Sequence, residues 1–74
     1  MARLQDLSGQ ETCRILELHG FIAVHQEGSQ RVMQKREPGT TTTVVVPLYE
    51  TLFRGTMASI IRQSLLPRVV FEAD

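Results

Sequence analysis

The chain has 74 residues, and its eight basic and eight acidic side chains cancel to a formal net charge of zero. This length predicts one small domain over residues 1–74, and the balanced charge argues against a protein held on nucleic acid by bulk charge alone. The single cysteine, Cys13, excludes an internal disulfide. With no metal-type Cys/His cluster, we expect no metal or other cofactor and a reducing cytoplasm. No apolar run approaches the ~20 residues of a membrane span, so we expect a soluble cytoplasmic chain.

The charges are unevenly distributed along the chain. Residues 28–68 carry six Lys/Arg and two Glu, whereas residues 1–27 and 69–74 are each acidic overall. This pattern suits either a basic binding face or a surface charged for solubility, and the charges alone favour solubility. A domain this small has a thin stability margin, which favours association with a partner or a homo-oligomer.

The first element is a helix that is predicted to begin at Ser8. Ser8 and Glu11 have the S-x-x-E spacing of a capping box, and Gly20 is placed to end the helix in the left-handed conformation. The apolar stripe is predicted to contain Thr12, Cys13, Ile15 and Leu16, with His19 one turn later in a structural role at the helix end.

Three strands are predicted to follow, because the next segments are short and rich in β-forming residues. They are residues 21–26, 31–36 and 41–46, joined by Gly28-Ser29 and by a Pro38-Gly39 turn. In the second strand, alternation places Val32 and Gln34 on one face and Arg31, Met33 and Lys35 on the other.

A second helix is predicted with Thr56 as its N-cap and Pro67 beyond its end. Its apolar side is predicted to contain Met57, Ile60, Ile61 and Leu65. The apolar tail residues 69–71 are expected to dock on this domain or on another chain. The predicted order is α-β-β-β-α, an α+β fold whose two helices cover one face of a three-stranded antiparallel sheet. Double-stranded-RNA-binding domains have this order.

Four segments, in this order, resemble the HicA (YcfA-like) family of mRNA-interferase toxins. They are "ILELHGF", "VHQEGSQRV", "TTVVVP" and "RGTMASIIRQSLL", and the resemblance extends over about residues 7–66, leaving residues 67–74 as a tail. It implies a dsRBD-like toxin component of a bacterial or phage toxin–antitoxin pair. It also implies an RNA substrate or ligand and a HicB-like antitoxin that covers the active surface.

The resemblance fails at one position that matters for the reaction. The family places its catalytic histidine directly after Gly-Ser, and here Gln30 follows Gly28-Ser29. In the family the histidine is thought to move a proton while a ribose 2′-hydroxyl attacks the adjacent phosphate. A glutamine amide has no usable pKa, so we expect endoribonuclease activity to be weakened or lost. Gln30 is either an introduced substitution or a native one; the additional replacement of usually basic residues by His25 and Glu27 favours the native alternative.

The remaining site residues follow from the resemblance. It implies that RNA is bound by Gly28, Ser29, Arg31, Lys35, Arg36 and Arg62 around the Gln30 amide, which is expected to lie beside a cationic groove. Without it, Gly28-Ser29 is equally well a plain turn and the cationic residues are a solvated surface. The rival hypothesis is a non-catalytic RNA-binding or protein-interaction module that kept the fold.

His25 is the one other candidate base near Gln30. Alternation places it on the face of Phe21 and Ala23, and a plain strand histidine on a partly wet face is the favoured interpretation.

Overall fold

The computed structural model describes residues 3–4 and 6–73. Three antiparallel strands form the main sheet in the order β2-β3-β4, and β1 pairs with β5 in a separate two-stranded sheet. The predicted α+β class and the α-β-β-β-α core are confirmed, whereas the β1–β5 pair was not predicted. The elements are β1 (Arg3–Leu4), α1 (Gly9–Leu18), β2 (Ile22–Glu27), β3 (Gln30–Glu37), β4 (Thr40–Pro47), α2 (Arg54–Ser64), a 3₁₀ turn (Arg68–Phe71) and β5 (Glu72–Ala73).

Helix α1 has the predicted capping box. The Glu11 backbone N–H donates to the Ser8 hydroxyl at 3.0 Å, and the Ser8 backbone N–H donates to Glu11 Oε1 at 2.9 Å. These bonds satisfy two N–H groups that have no partner within the helix. After the helix, Gly20 has a φ of 94°. The helix buries Thr12, Cys13 and Leu16. In the described part of the chain, neither α1 nor α2 is long and apolar enough to cross a membrane.

The main sheet has one covered face and one open face. Met33 on β3 pairs with Val44 on β4, and both side chains are fully buried together with Val46. The helices lie over this face, which also contacts Leu16, Met57 and Ile60 in the core cluster. Val32 and Val45 form the adjacent pair, and because successive side chains alternate they point to the open face.

An irregularity in β2 changes which residues share a face. Ala23 pairs with Met33 of the covered face, but His25 pairs with Val32 of the open face, leaving Val24 between them as an extra residue. A bulge of this kind shifts the alternation of the strand by one position. The predicted sharing of one face by His25 and Ala23 is therefore wrong, because simple alternation assumes a strand without an inserted residue.

Helix α2 ends before Pro67 as predicted, but its N-cap and the position of Leu65 differ from the prediction. The helix begins at Arg54, and Phe53, at the N-cap position, makes no side-chain capping bond. Met57 N–H already donates to the Phe53 carbonyl at 2.9 Å, so Thr56 lies inside the first turn and is not the N-cap. At the other end Leu65 has a φ of 60° and is 80% exposed. The left-handed backbone turns Leu65 out of the helix, and Ser64 is buried in its place.

The tail docks on the domain itself. Phe71 is fully buried in the core cluster, Val70 packs against that cluster, and Val69 is 62% exposed. An Arg68–Glu72 ion pair of 3.2 Å spans the 3₁₀ turn. Phe71 is one of the largest fully buried side chains, so the segment after α2 is part of the packed structure.

Candidate functional site

The candidate site lies at the turn between β2 and β3. Gly28 has a φ of 57°, a conformation that side chains other than glycine rarely adopt, and Ser29 completes the turn. Gln30 is the first residue of β3, where it pairs with Glu27 on one side and Pro47 on the other. The turn therefore places residue 30 at the beginning of the central strand, next to the β2–β3 turn.

Backbone hydrogen bonds tie this turn to the rest of the fold. The Ser29 carbonyl accepts from the Leu48 N–H at 2.6 Å, and the next residue, Tyr49, accepts from the Gly9 N–H at 2.8 Å. A Cβ added to Gly9 would overlap the Pro47 carbonyl oxygen, so the start of α1 lies directly against the end of β4. The site is held by an ordered backbone, which is the support that a precise binding geometry requires.

Gln30 lies in an open pocket of about 540 Å³ on the open face of the sheet. The side chains around the pocket come from all three strands and the turn: His25, Glu27, Ser29, Gln30, Val32 and Val45. Gln30 is exposed, and the His25 Nε2 lies 3.9 Å from Glu27 Oε2. The pocket therefore offers an amide, a hydroxyl, an imidazole and a carboxylate, which together can donate and accept hydrogen bonds and move a proton.

The cationic groove expected beside Gln30 is not formed, because Arg31 and Lys35 belong to the opposite face of β3. Arg31 Nε donates to Gln26 Oε1 at 3.1 Å, and its Nη1 donates to Gln10 Oε1 at 3.2 Å. Lys35 passes over Gly20, where an added Cβ would meet the lysine Cε at 3.2 Å. Both side chains thus lie on the covered face of the sheet, on the side of the helices, as strand alternation requires.

The other two predicted cationic residues are also separated. Arg36 lies on the open face, and its Nη2 donates to Gln34 Oε1 at 3.3 Å. It is six positions after Gln30, roughly 20 Å along an extended strand. Arg62 lies on α2 and donates to the Ser59 hydroxyl at 3.3 Å. Of the predicted RNA-binding residues, the structure brings only Gly28 and Ser29 directly beside Gln30.

Cys13 lies on the buried side of α1 and is not part of the pocket. Burial raises the pKa of the Cys13 thiol, while the nearby Arg31 guanidinium acts in the opposite direction. The group is therefore a neutral thiol packed in the core, as the sequence indicated.

Sequence reasoning named Ser29 and His25 near Gln30, but it missed Glu27, Val32 and Val45 as pocket residues and assigned His25 to the wrong face. Val32 could have been assigned to this face from alternation in β3, but Val45 requires the register between β3 and β4. His25 requires knowledge of the bulge at Val24. No local signal in "FIAVHQEG" marks that bulge, since an inserted residue is defined only by pairing with the neighbouring strand.

One comparison with known proteins gave a match over most of the chain. A family model described as "HicA toxin of bacterial toxin-antitoxin" matches residues 9–66. The matched span contains α1, the complete β2-β3-β4 sheet with the Gln30 pocket, and α2, and it ends before Phe71. The search of curated proteins gave no match.

Proposed function

Because the chain belongs to the HicA toxin family of bacterial toxin–antitoxin pairs, we propose that it is an RNA-binding toxin whose endoribonuclease reaction is weakened or lost at Gln30. The observation that carries this proposal is the position of Gln30. It stands directly after the Gly28-Ser29 turn, on the open face, in a pocket large enough for part of a nucleotide. We propose that the chain acts on RNA in the cytoplasm, where mRNA is found.

The chemistry of RNA cleavage explains why an amide at residue 30 slows the reaction. Attack of a ribose 2′-hydroxyl on the adjacent phosphate requires removal of the hydroxyl proton, and an imidazole does this well because it titrates near neutral pH. The amide of Gln30 can hold a phosphate or a hydroxyl by hydrogen bonds, but it cannot carry the proton. RNA binding is therefore retained while proton transfer by residue 30 is lost, at a cost of about 10²–10⁴-fold in rate.

The charge of the open face shapes how RNA is bound. Among the strand residues of this face, Arg36 and Glu27 carry the formal charges, and they cancel. We propose that recognition relies on hydrogen bonds from Gln30 and Ser29 and on contact with the exposed apolar side chains, with Arg36 as the phosphate contact. One phosphate contact predicts a shallow salt dependence, with a slope near −0.7 in a plot of log K against log salt concentration.

The same face suits the protein partner of the pair. Ile22 and Val45, on the open face of strands β2 and β4, are 57% and 42% exposed, and Val24, the extra residue of the bulge, is 39% exposed. We propose that a HicB-like antitoxin covers these apolar residues and closes the pocket. These residues also favour the second candidate function, a protein-interaction module that has kept the fold without the reaction.

The experiment that tests the proposal restores the missing group. Gln30→His is expected to raise RNA cleavage by at least ~10²-fold over the unchanged chain. The matched control is Gln34→His, which places an imidazole on the same face of the same strand but outside the pocket. Cleavage that rises only in the residue-30 variant supports an RNA site at this pocket. RNA binding with no gain in cleavage favours the non-catalytic module, and loss of both rejects the RNA-site proposal.

A further inference from the structure

We propose that His25 performs the proton transfer that Gln30 cannot, so that the chain retains slow, His25-dependent RNA cleavage, with Glu27 as the residue that positions the imidazole. This inference rests on the proposed RNA site but adds a different catalytic residue on a different strand.

The bulge brings His25 to the site. With regular alternation His25 would share the face of Ala23, which pairs with the fully buried Met33. The extra residue, Val24, reverses this and pairs His25 with Val32 on the open face. Bulges are frequent next to active sites, where they re-aim a side chain. Here the effect is to add an imidazole to the pocket from which the family's imidazole is missing.

The register then sets the distance between the two residues. His25 lies opposite Val32, and Gln30 is two positions from Val32 on the same face of β3. Such diagonal neighbours are about 7–8 Å apart, within reach of side chains as long as these. A nucleotide held by the Gln30 amide would therefore lie against the imidazole, since both side chains border the same pocket.

Glu27 places a carboxylate beside the imidazole. It is two residues after His25 on the same face of β2, and its Oε2 lies 3.9 Å from His25 Nε2. A carboxylate at this place attracts a proton on Nε2 and leaves Nδ1 as the accepting nitrogen of the neutral ring. The 3.9 Å separation is longer than a hydrogen bond, so the Glu27 carboxylate acts on the His25 ring as a nearby negative charge.

The proposed reaction needs no reagent other than water. His25 Nδ1 takes the proton of the ribose 2′-hydroxyl, and the 2′-oxygen forms a bond to the phosphorus. The bond from phosphorus to the 5′-oxygen breaks, and that oxygen takes a proton from water. The imidazolium returns its proton to the resulting hydroxide, leaving a 2′,3′-cyclic phosphate and a 5′-hydroxyl.

The test compares cleavage of a single-stranded RNA oligonucleotide by four proteins: the unchanged chain, His25→Gln, His19→Gln and Gln30→His. The chain has two histidines, and His19 caps α1, where its Nδ1 lies 2.9 Å from the Ile15 carbonyl oxygen. His19→Gln is therefore the matched control. We expect His25→Gln to lower the slow cleavage by about 10²-fold and His19→Gln to leave it unchanged.

A spectroscopic measurement tests the role of Glu27 separately from activity. Imidazole ¹⁵N chemical shifts report which ring nitrogen carries the proton, and two histidines give two resolved sets of signals. We expect Glu27→Gln to shift the ¹⁵N signals of His25 and to leave those of His19 unchanged. A 2′-O-methyl RNA oligonucleotide, which cannot be cleaved by this route, is expected to shift the His25 signals and not those of His19.

The outcomes separate this inference from the proposed function. Equal cleavage by the unchanged chain and His25→Gln overturns the inference. So does an unchanged chain with no cleavage beside an active Gln30→His variant, and in that case the proposed RNA site still stands. If neither the unchanged chain nor Gln30→His cleaves or binds RNA, both the inference and the proposed function fail.

Discussion

The two faces of the main sheet are built from neighbouring residues of the same strands, yet they have different roles. On the covered face Met33, Val44 and Val46 are fully buried, and a change there alters the packing of both helices. On the open face Gln30 is exposed, so its side chain can change with little effect on folding. A catalytic residue can therefore be lost from the open face while the fold is maintained.

The two faces of the sheet also differ in the charged residues that they carry. Arg31 and Gln30 are adjacent in the sequence, but Arg31 lies along the helical layer, where it donates to Gln10 and Gln26. The basic excess of residues 28–68 is thus divided between two sides of the sheet. A charge count along the sequence cannot describe a binding face when alternate residues of a strand point in opposite directions.

The largest effect on stability is expected at Phe71, which packs on the covered side of the sheet and lies after the residues that the family model matches. Phe71→Ala should lower the free energy of unfolding by about 3–5 kcal/mol, because it removes a fully buried aromatic ring and leaves a cavity. Chemical denaturation measures this directly. Val69→Ala, in the same 3₁₀ turn but 62% exposed, is the control and should change little. Equal effects would mean that the tail does not belong to the core.

A smaller effect distinguishes the two faces within one strand. Val44→Thr should destabilise by about 1–3 kcal/mol, because it places a hydroxyl in the core without a hydrogen-bond partner. Val45→Thr, one residue later, should stay within about 0.5 kcal/mol, since Val45 is 42% exposed and threonine also favours strands. Thermal or urea unfolding gives both values. The reverse order would contradict the assignment of the faces.

The helix start contributes a further, pH-dependent effect. Ser8→Ala should cost about 0.5–2 kcal/mol by removing the capping hydroxyl. The Ser8 backbone N–H and then its hydroxyl hold the pKa of Glu11 below its ordinary value. A lowered folded pKa stabilises the fold above the pKa of the unfolded carboxyl, and this contribution is lost as the pH falls through the folded pKa.

Urea unfolding of Ser8→Ala and the unchanged chain across this acidic range checks the prediction. The difference between them should shrink as the pH falls. Glu11→Gln, which keeps an acceptor but has no carboxylate to titrate, should lack this pH-dependent contribution. A difference between Ser8→Ala and the unchanged chain that is constant with pH would show that the Ser8 hydroxyl does not act on the Glu11 carboxylate.

Much of the fold could be predicted from local patterns. The Ser8–Glu11 capping box, the three strands and the alternation within β3 all follow from short sequence signals and agree with the structure. The ends of α2 could not be predicted as well, because Leu65 leaves the helix in a left-handed conformation that leucine rarely adopts. The β1–β5 pair joins the two ends of the described chain, and no local signal marks so distant a pairing.

The candidate site was less predictable than the fold. The Gly28-Ser29 turn and the exposure of Gln30 agree with the expectation, but the neighbours of Gln30 depend on the pairing of β3 with both other strands. The bulge at Val24 moved His25 to the face opposite to the expected one. One inserted residue in a strand changes every later side chain, and it leaves no mark that periodicity alone detects.

The central claim is that RNA is bound on the open face around Gln30 and not on the helical layer. The most direct measurement is the methyl NMR spectrum of the unchanged chain during titration with a 2′-O-methyl RNA oligonucleotide. Val44 and Val45 are neighbours on β4 that point to opposite faces. We predict that the Val32 and Val45 methyl signals shift while those of Val44 and Val46 stay in place. Shifts confined to α1 or α2 residues such as Ile61, with Val45 unchanged, would contradict the account.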